Sequence, residues 1–176
     1  METTTLTRPG LAELVRGVRA GVAQHADDPH RTAYAVADVL RATLPAADIL
    51  SAGERRGADD AVTSHLLHAE ADFSIKAVVW RPGQDTVVHD HVTWCVFGVL
   101  QGVEYETIYR DHGDHLTEIG RTANQTGDVS GFAPPGDIHR VHNTGDTTAI
   151  SLHIYGVDLR DVESSVRRVY HLPIRP

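Results

Sequence analysis

In "VVHDHVTWCVFG", Val87 to Gly98, two histidines stand one residue apart within a run of β-forming residues, and the chain's only cysteine follows four positions later. Alternate side chains of a strand point to the same face, so His89 and His91 offer two imidazoles on one side. A third imidazole is available at His139 in "PPGDIHRVHN", where Pro and Gly turn the chain just before a strand that can close a site from the opposite side. Three neutral imidazoles suit zinc, copper, iron or nickel alike, so these residues alone leave the metal open. Taken alone, "HxH" is more often an incidental feature of a strand than a metal site. Near the end of the chain, "SLHIY" sets Ser151, His153 and Tyr155 at alternate positions, again on a single face.

These groups need strands to carry them, and the chain supplies strands from Val62 onward. "FSIKAVVW", "TVVHDH", "WCVFGVL", "VEYETIYR", "HLTEIGR", "IHRVHN" and "TTAISLHIYG" are short, β-branched or aromatic, and separated by turn residues as in "RPGQD", "APPGD" and "NTGDT". That spacing predicts an all-β core of jelly-roll or cupin type rather than βαβ repeats. Before it, Leu11, Leu14, Val15, Val18 and Val22 recur at helix spacing. A second helix is expected from an Asp28 N-cap and Pro29 at the first helical position, and Pro45 ends it. The expected organisation is a single domain over residues 1–176: a helical part over about 8–60, a barrel over about 62–156, and a C-terminal extension over 157–176.

Bulk properties narrow the functional classes. A chain of 176 residues that is 41% hydrophobic can bury a real core. A formal net charge of -8, with no basic run or basic helix face, argues against nucleic acid and against an anionic membrane surface. No apolar run approaches bilayer length. One cysteine allows no internal disulfide, and "METTTLTRPG" lacks a signal-peptide profile, so cytoplasmic residence is expected.

The order of residues carries a resemblance. Gly83, five residues, His89, Asp90, His91, three residues, Cys95, six residues, Gly102, and then Pro134, Pro135, Gly136, two residues, His139, three residues, Asn143 resemble the two signature blocks of the cupin superfamily, G-x5-HxH-x3,4-E-x6-G and P-x-G-x2-H-x3-N. Cys95 stands where the usual glutamate ligand would be. Within cupins that replacement, together with the Ser-x-His-x-Tyr run, resembles the thiol dioxygenases, the cysteine dioxygenase and 3-mercaptopropionate dioxygenase group. The resemblance covers about Thr63 to Gly156 and implies a double-stranded β-helix, or jelly-roll barrel, with N-terminal α-helices.

It further implies Fe(II) held by His89, His91 and His139, with O2 as co-substrate and oxidation of a small thiol or thione to a sulfinate. Tyr155 is then the candidate to hydrogen-bond the reacting oxygen, with His153 holding its hydroxyl and Ser151 orienting His153. Cys95 admits two readings: a thioether partner of Tyr155, as in animal-type enzymes of the group, or a small buried hydrophobe. Cysteine dioxygenases bind the substrate carboxylate with an arginine upstream of the first block, and mercaptopropionate-type relatives use glutamine. Aligning through "DFSIKAVVW" brings His65 near that position, with Thr63 where a tyrosine is often found. Trp94 is expected either to wall the pocket, where an aromatic face would favour a quaternary ammonium group, or to pack in the core. The candidate substrates are therefore L-cysteine, 3-mercaptopropionate and ergothioneine, with L-cysteine expected to be poor, and the protein is expected to be a monomer or small homo-oligomer. Two competing readings are a non-redox metal cupin, such as a zinc or manganese isomerase or hydrolase, and a small-ligand-binding cupin sensor.

Overall fold

The computed structural model describes residues 7–162 and 164–176. Helix α1 (Leu11–Gln24) buries Leu14, Val15 and Val18, the stripe set by its apolar spacing. Helix α2 (Pro29–Thr43) starts where Asp28 accepts from the backbone N–H groups of His30 (3.1 Å) and Arg31 (3.0 Å), satisfying two donors that a helix start leaves free. Single 3-10 turns at Ala47–Ile49 and Glu54–Arg56 lead to the strands.

The strands are β1 (Thr63–Glu70), β2 (Phe73–Trp80), β3 (His89–His91), β4 (Cys95–Gln101), β5 (Val103–Asp111), β6 (Leu116–Gln125), β7 (Val129–Phe132), β8 (His139–His142), β9 (Ala149–Tyr155), β10 (Val166–Val169) and β11 (Ile174–Arg175). They form a five-stranded sheet, β1-β2-β9-β4-β7, and a six-stranded sheet, β10-β3-β8-β5-β6-β11. From β2 to β10 the chain crosses between the sheets at every step except β5 to β6, and every pairing is antiparallel except that of β11 with β6. The stretch after Gly156 is more than an appendage, because β10 and β11 extend both edges of the second sheet.

Strand alternation divides the five-stranded sheet into two faces. Phe73, Ile75, Ala77 and Val79 of β2, Val96 of β4, and Ile150, Leu152 and Ile154 of β9 pack with the helices in one apolar cluster. The other face carries Lys76, Val78 and Trp80 of β2 and His153 and Tyr155 of β9 into a cavity between the sheets. Gly98 lets α2 approach closely: a Cβ there would lie 2.7 Å from Leu44 Cδ1 and 3.0 Å from Leu40 Cδ2. The helices thus seal one face of the sheet, and the other is left for polar groups.

Candidate metal centre and its surroundings

His89 and His91 leave β3 on the same side, and His89 pairs in register with His139 of β8. One ring nitrogen from each of the three lies within 4.8 Å of the others, and all three residues are buried. Each Nδ1 is already engaged: His89 with the Val87 carbonyl (2.9 Å), His91 with Asp137 Oδ2 (3.1 Å) and His139 with Glu106 Oε1 (2.6 Å). Nδ1–H donates in each case, which fixes the tautomer and leaves Nε2 with its lone pair. Buried His139 Nε2 has no hydrogen-bond partner. Burial first, and then the neighbouring His139, lowers the His89 pKa to about 4, and burial also lowers that of His91. Three neutral donors turned to one point, one of them a buried atom without a partner, fit a metal ion.

Asp90, between the two ligands, points the opposite way. It accepts from Tyr170 Oη (2.8 Å) and from the Arg167 guanidinium, so the C-terminal strands brace β3 from behind. Arg140 likewise alternates away from His139 and pairs with Asp85.

Facing the triad, Tyr155 lies with its ring 5.8 Å from that of His91. Its hydroxyl is 3.5 Å from His153 Nδ1. His153 Nε2 is 2.9 Å from Ser151 Oγ and 3.3 Å from the Glu104 carboxylate, to which Ser151 Oγ–H also donates. Trp80 Nε1–H donates to Ser151 Oγ at 3.0 Å. Burial opposes the charge on Glu104, but His153 and Ser151 outweigh it and the net shift is downward. With Glu104 as acceptor, Nε2 of His153 carries the proton and Nδ1 accepts from Tyr155. Burial and the adjacent Cys95 push the Tyr155 phenol well above its usual pKa, and burial does the same to the Cys95 thiol. Cys95 and Tyr155 are directly opposed across β4 and β9.

Two expected substrate contacts are placed elsewhere. His65 points away from the cavity, with Nδ1 3.7 Å from Glu54 Oε1. Glu54 belongs to a structural cluster: Arg8 donates to it at 2.8 Å, and chiefly that bond holds its carboxyl down at about 2. Ser64 and Val62 line the cavity instead. A register shift between Leu66 and His68 on β1 separates His65 from the face that a count back from β2 assigns it. Trp94 is buried in the helix-side core, against Gly156, where a Cβ would come within 2.2 Å of Nε1. It borders a separate surface depression with Arg19, Glu70 and Thr93 rather than the metal cavity. Neither Trp94 nor His65 lines the metal cavity, and the expectation that L-cysteine is a poor substrate loses its basis.

Asp137, Glu106, Glu104 and Lys76 were not among the residues singled out from sequence. A signal existed for two of them: Glu104 and Glu106 alternate along "VEYETIYR", so they share a face of β5.

Two curled sheets around three converging imidazoles define a cupin with a metal-type histidine cluster. A profile described as cysteine dioxygenase type I matches residues 58–168. The chain belongs to that family. Among solved structures, CapF, determined with the inhibitor 3-isopropenyl-tropolone, superimposes with a TM-score of 0.51 at 18% identity, over 66% of this chain and 33% of CapF. The chain thus spans about a third of CapF, and the likeness is one of fold. A cupin superfamily protein from Desulfitobacterium hafniense is similar at 19% identity and a TM-score of 0.48, over 65% of this chain and 89% of that one. Oxalate decarboxylase from Bacillus subtilis is similar at 21% identity and a TM-score of 0.47, over 57% of this chain and 27% of that one. Among the described residues, no helix is long and apolar enough to cross a membrane.

Proposed function

We propose that the chain is a non-haem Fe(II) thiol dioxygenase that converts a small thiol or thione to its sulfinate with O2. The observation that carries this reading is a trio of buried imidazoles, joined by no carboxylate among the described residues, facing Tyr155 across a cavity of about 350 Å³. Ferrous iron held by His89, His91 and His139 would keep its full positive charge, which favours a thiolate donor and supplies the redox chemistry for O2. The reaction balances without a reductant: RSH and O2 give RSO2H, both oxygen atoms passing to sulfur.

The protein's own groups hold and move protons. Tyr155 remains a phenol, and turning its single O–H from His153 Nδ1 toward the substrate would let it donate to a developing oxyanion. His153 accepts from that hydroxyl at Nδ1, and Glu104 with Ser151 fixes the imidazole through Nε2. Phe132 packs against His91 and His139 with ring centroids 5.3 and 5.4 Å away, shielding the ligands from water. L-Cysteine, 3-mercaptopropionate and ergothioneine are the candidate substrates, and a reducing cytoplasm would keep such thiols available.

The test is to reconstitute the protein anaerobically with Fe(II), supply these three compounds in turn, and follow O2 uptake with product mass. Uptake matched to sulfinate supports the reading. A protein that retains a different metal and shows no thiol-dependent uptake refutes it.

A further inference from the structure

Lys76 is the only lysine in the chain, beside fifteen arginines. It is the one charged residue of the strand "FSIKAVVW", where the neighbours on either side, Ile75 and Ala77, are fully buried against the helices. Alternation turns Lys76 the other way, into the cavity of the three histidines, with Ser64, Val78, Trp80 and Tyr155 among its walls. It lies opposite His153 in the β2–β9 register, and its Nζ is 5.5 Å from the centroid of the Tyr155 ring.

A cation in such a place is costly unless something answers its charge. Among the described residues, no carboxylate lies within ion-pairing distance of Lys76. The nearby buried acids are committed elsewhere: Glu104 to Ser151 and His153, Glu106 to His139, Asp137 to His91. Cys95 stays a neutral thiol, because burial drives its pKa up. Apart from histidines, Lys76 is the only ionisable cation that lines the cavity among the described residues, and no arginine is among its walls.

We infer that Lys76 is the anion-binding residue of this cavity, pairing with a carboxylate on the substrate while the sulfur end lies at the three histidines. This rests on the thiol dioxygenase reading and deepens it, since it selects thiols and thiones that carry an acid group. Tyr155 is near both groups, its ring 5.8 Å from that of His91 and 5.5 Å from Lys76 Nζ, so it borders the space such a molecule would span. Burial lowers the pKa of Lys76, and a bound carboxylate would restore it.

The experiment compares 3-mercaptopropionate with 3-mercaptopropionamide, its uncharged counterpart, in the iron-loaded wild type, Lys76→Met and Lys76→Arg. The expected result is a wild-type preference for the acid of at least tenfold in kcat/KM. That preference should collapse in Lys76→Met through KM and be partly rescued in Lys76→Arg. An acid-to-amide ratio in Lys76→Met that stays within twofold of the wild-type ratio overturns the inference, as does a loss confined to kcat, which would mark a role on Tyr155. A second readout needs neither iron nor turnover. In the metal-free protein, acylation of the single lysine is followed by peptide mass, with 3-mercaptopropionate or the amide as protectant. Selective protection by the acid supports the anion site even if no thiol is oxidised, and equal protection by both, or none, overturns it.

Discussion

Cys95 of β4 and Tyr155 of β9 occupy directly opposed positions in the five-stranded sheet, both pointing toward the metal-type cluster. Opposed residues of an antiparallel pair bring their Cβ atoms to roughly 4.5–5.5 Å, within reach of a thioether between sulfur and the phenol ring. Forming that bond removes two hydrogens and requires an oxidant, which O2 at the iron centre would supply. Aerobic incubation with Fe(II) and thiol should therefore yield a chain lighter by two hydrogens, with the Cys95 and Tyr155 peptides joined. An unchanged mass after many turnovers would leave Cys95 as a packing residue.

Glu106 and Asp137 orient two of the three imidazoles through Nδ1. Glu106→Gln and Asp137→Asn should each weaken metal affinity by roughly 10- to 100-fold while leaving the fold intact. Competitive chelator titration measures this directly. An affinity unchanged in both variants would show that the carboxylates do not set the ligand geometry.

Tyr155→Phe should retain stoichiometric iron and lose turnover by roughly a hundredfold, the usual size of a positioned proton donor. Iron content and O2 uptake on the same preparation separate the two effects. Equal rates for variant and wild type would remove the hydroxyl from the chemistry.

The pKa of His89, lowered to about 4, sets a pH window. A free imidazole titrates near 6.5, so between about 6.5 and 4 the unfolded chain binds a proton at His89 that the metal-free fold does not. Stability of the metal-free protein should thus fall as pH drops through that window, read as a declining urea midpoint. A urea midpoint that holds steady or rises from pH 6.5 to 4 would contradict a lowered His89 pKa.

Much of this site was legible because strand alternation is a strict rule. His89 with His91, and Ser151 with His153 and Tyr155, were placed on shared faces by spacing alone, and the helices followed from apolar periodicity and the Asp28 cap. What was not legible depended on the partner strand. The register shift on β1 separates His65 from its expected place, and the room left by Gly156 draws Trp94 into the core. Lys76 reads as one charge in an apolar strand until the sheet shows that one face of β2 is sealed by helices and the other opens on the cavity. The C-terminal residues carry weak strand signals, yet Arg167 and Tyr170 hold Asp90 from behind.

The central claim is that the three histidines hold iron that directs both atoms of O2 to a substrate sulfur. It is tested most directly by one measurement: turnover of the Fe(II)-loaded protein with 3-mercaptopropionate under isotopically labelled O2, with mass analysis of the product. The account predicts a sulfinate carrying two labelled oxygen atoms, formed in step with O2 consumed, and none from a His139→Ala protein. A disulfide as sole product, a sulfinate with oxygen from water, or undiminished activity in His139→Ala would contradict it.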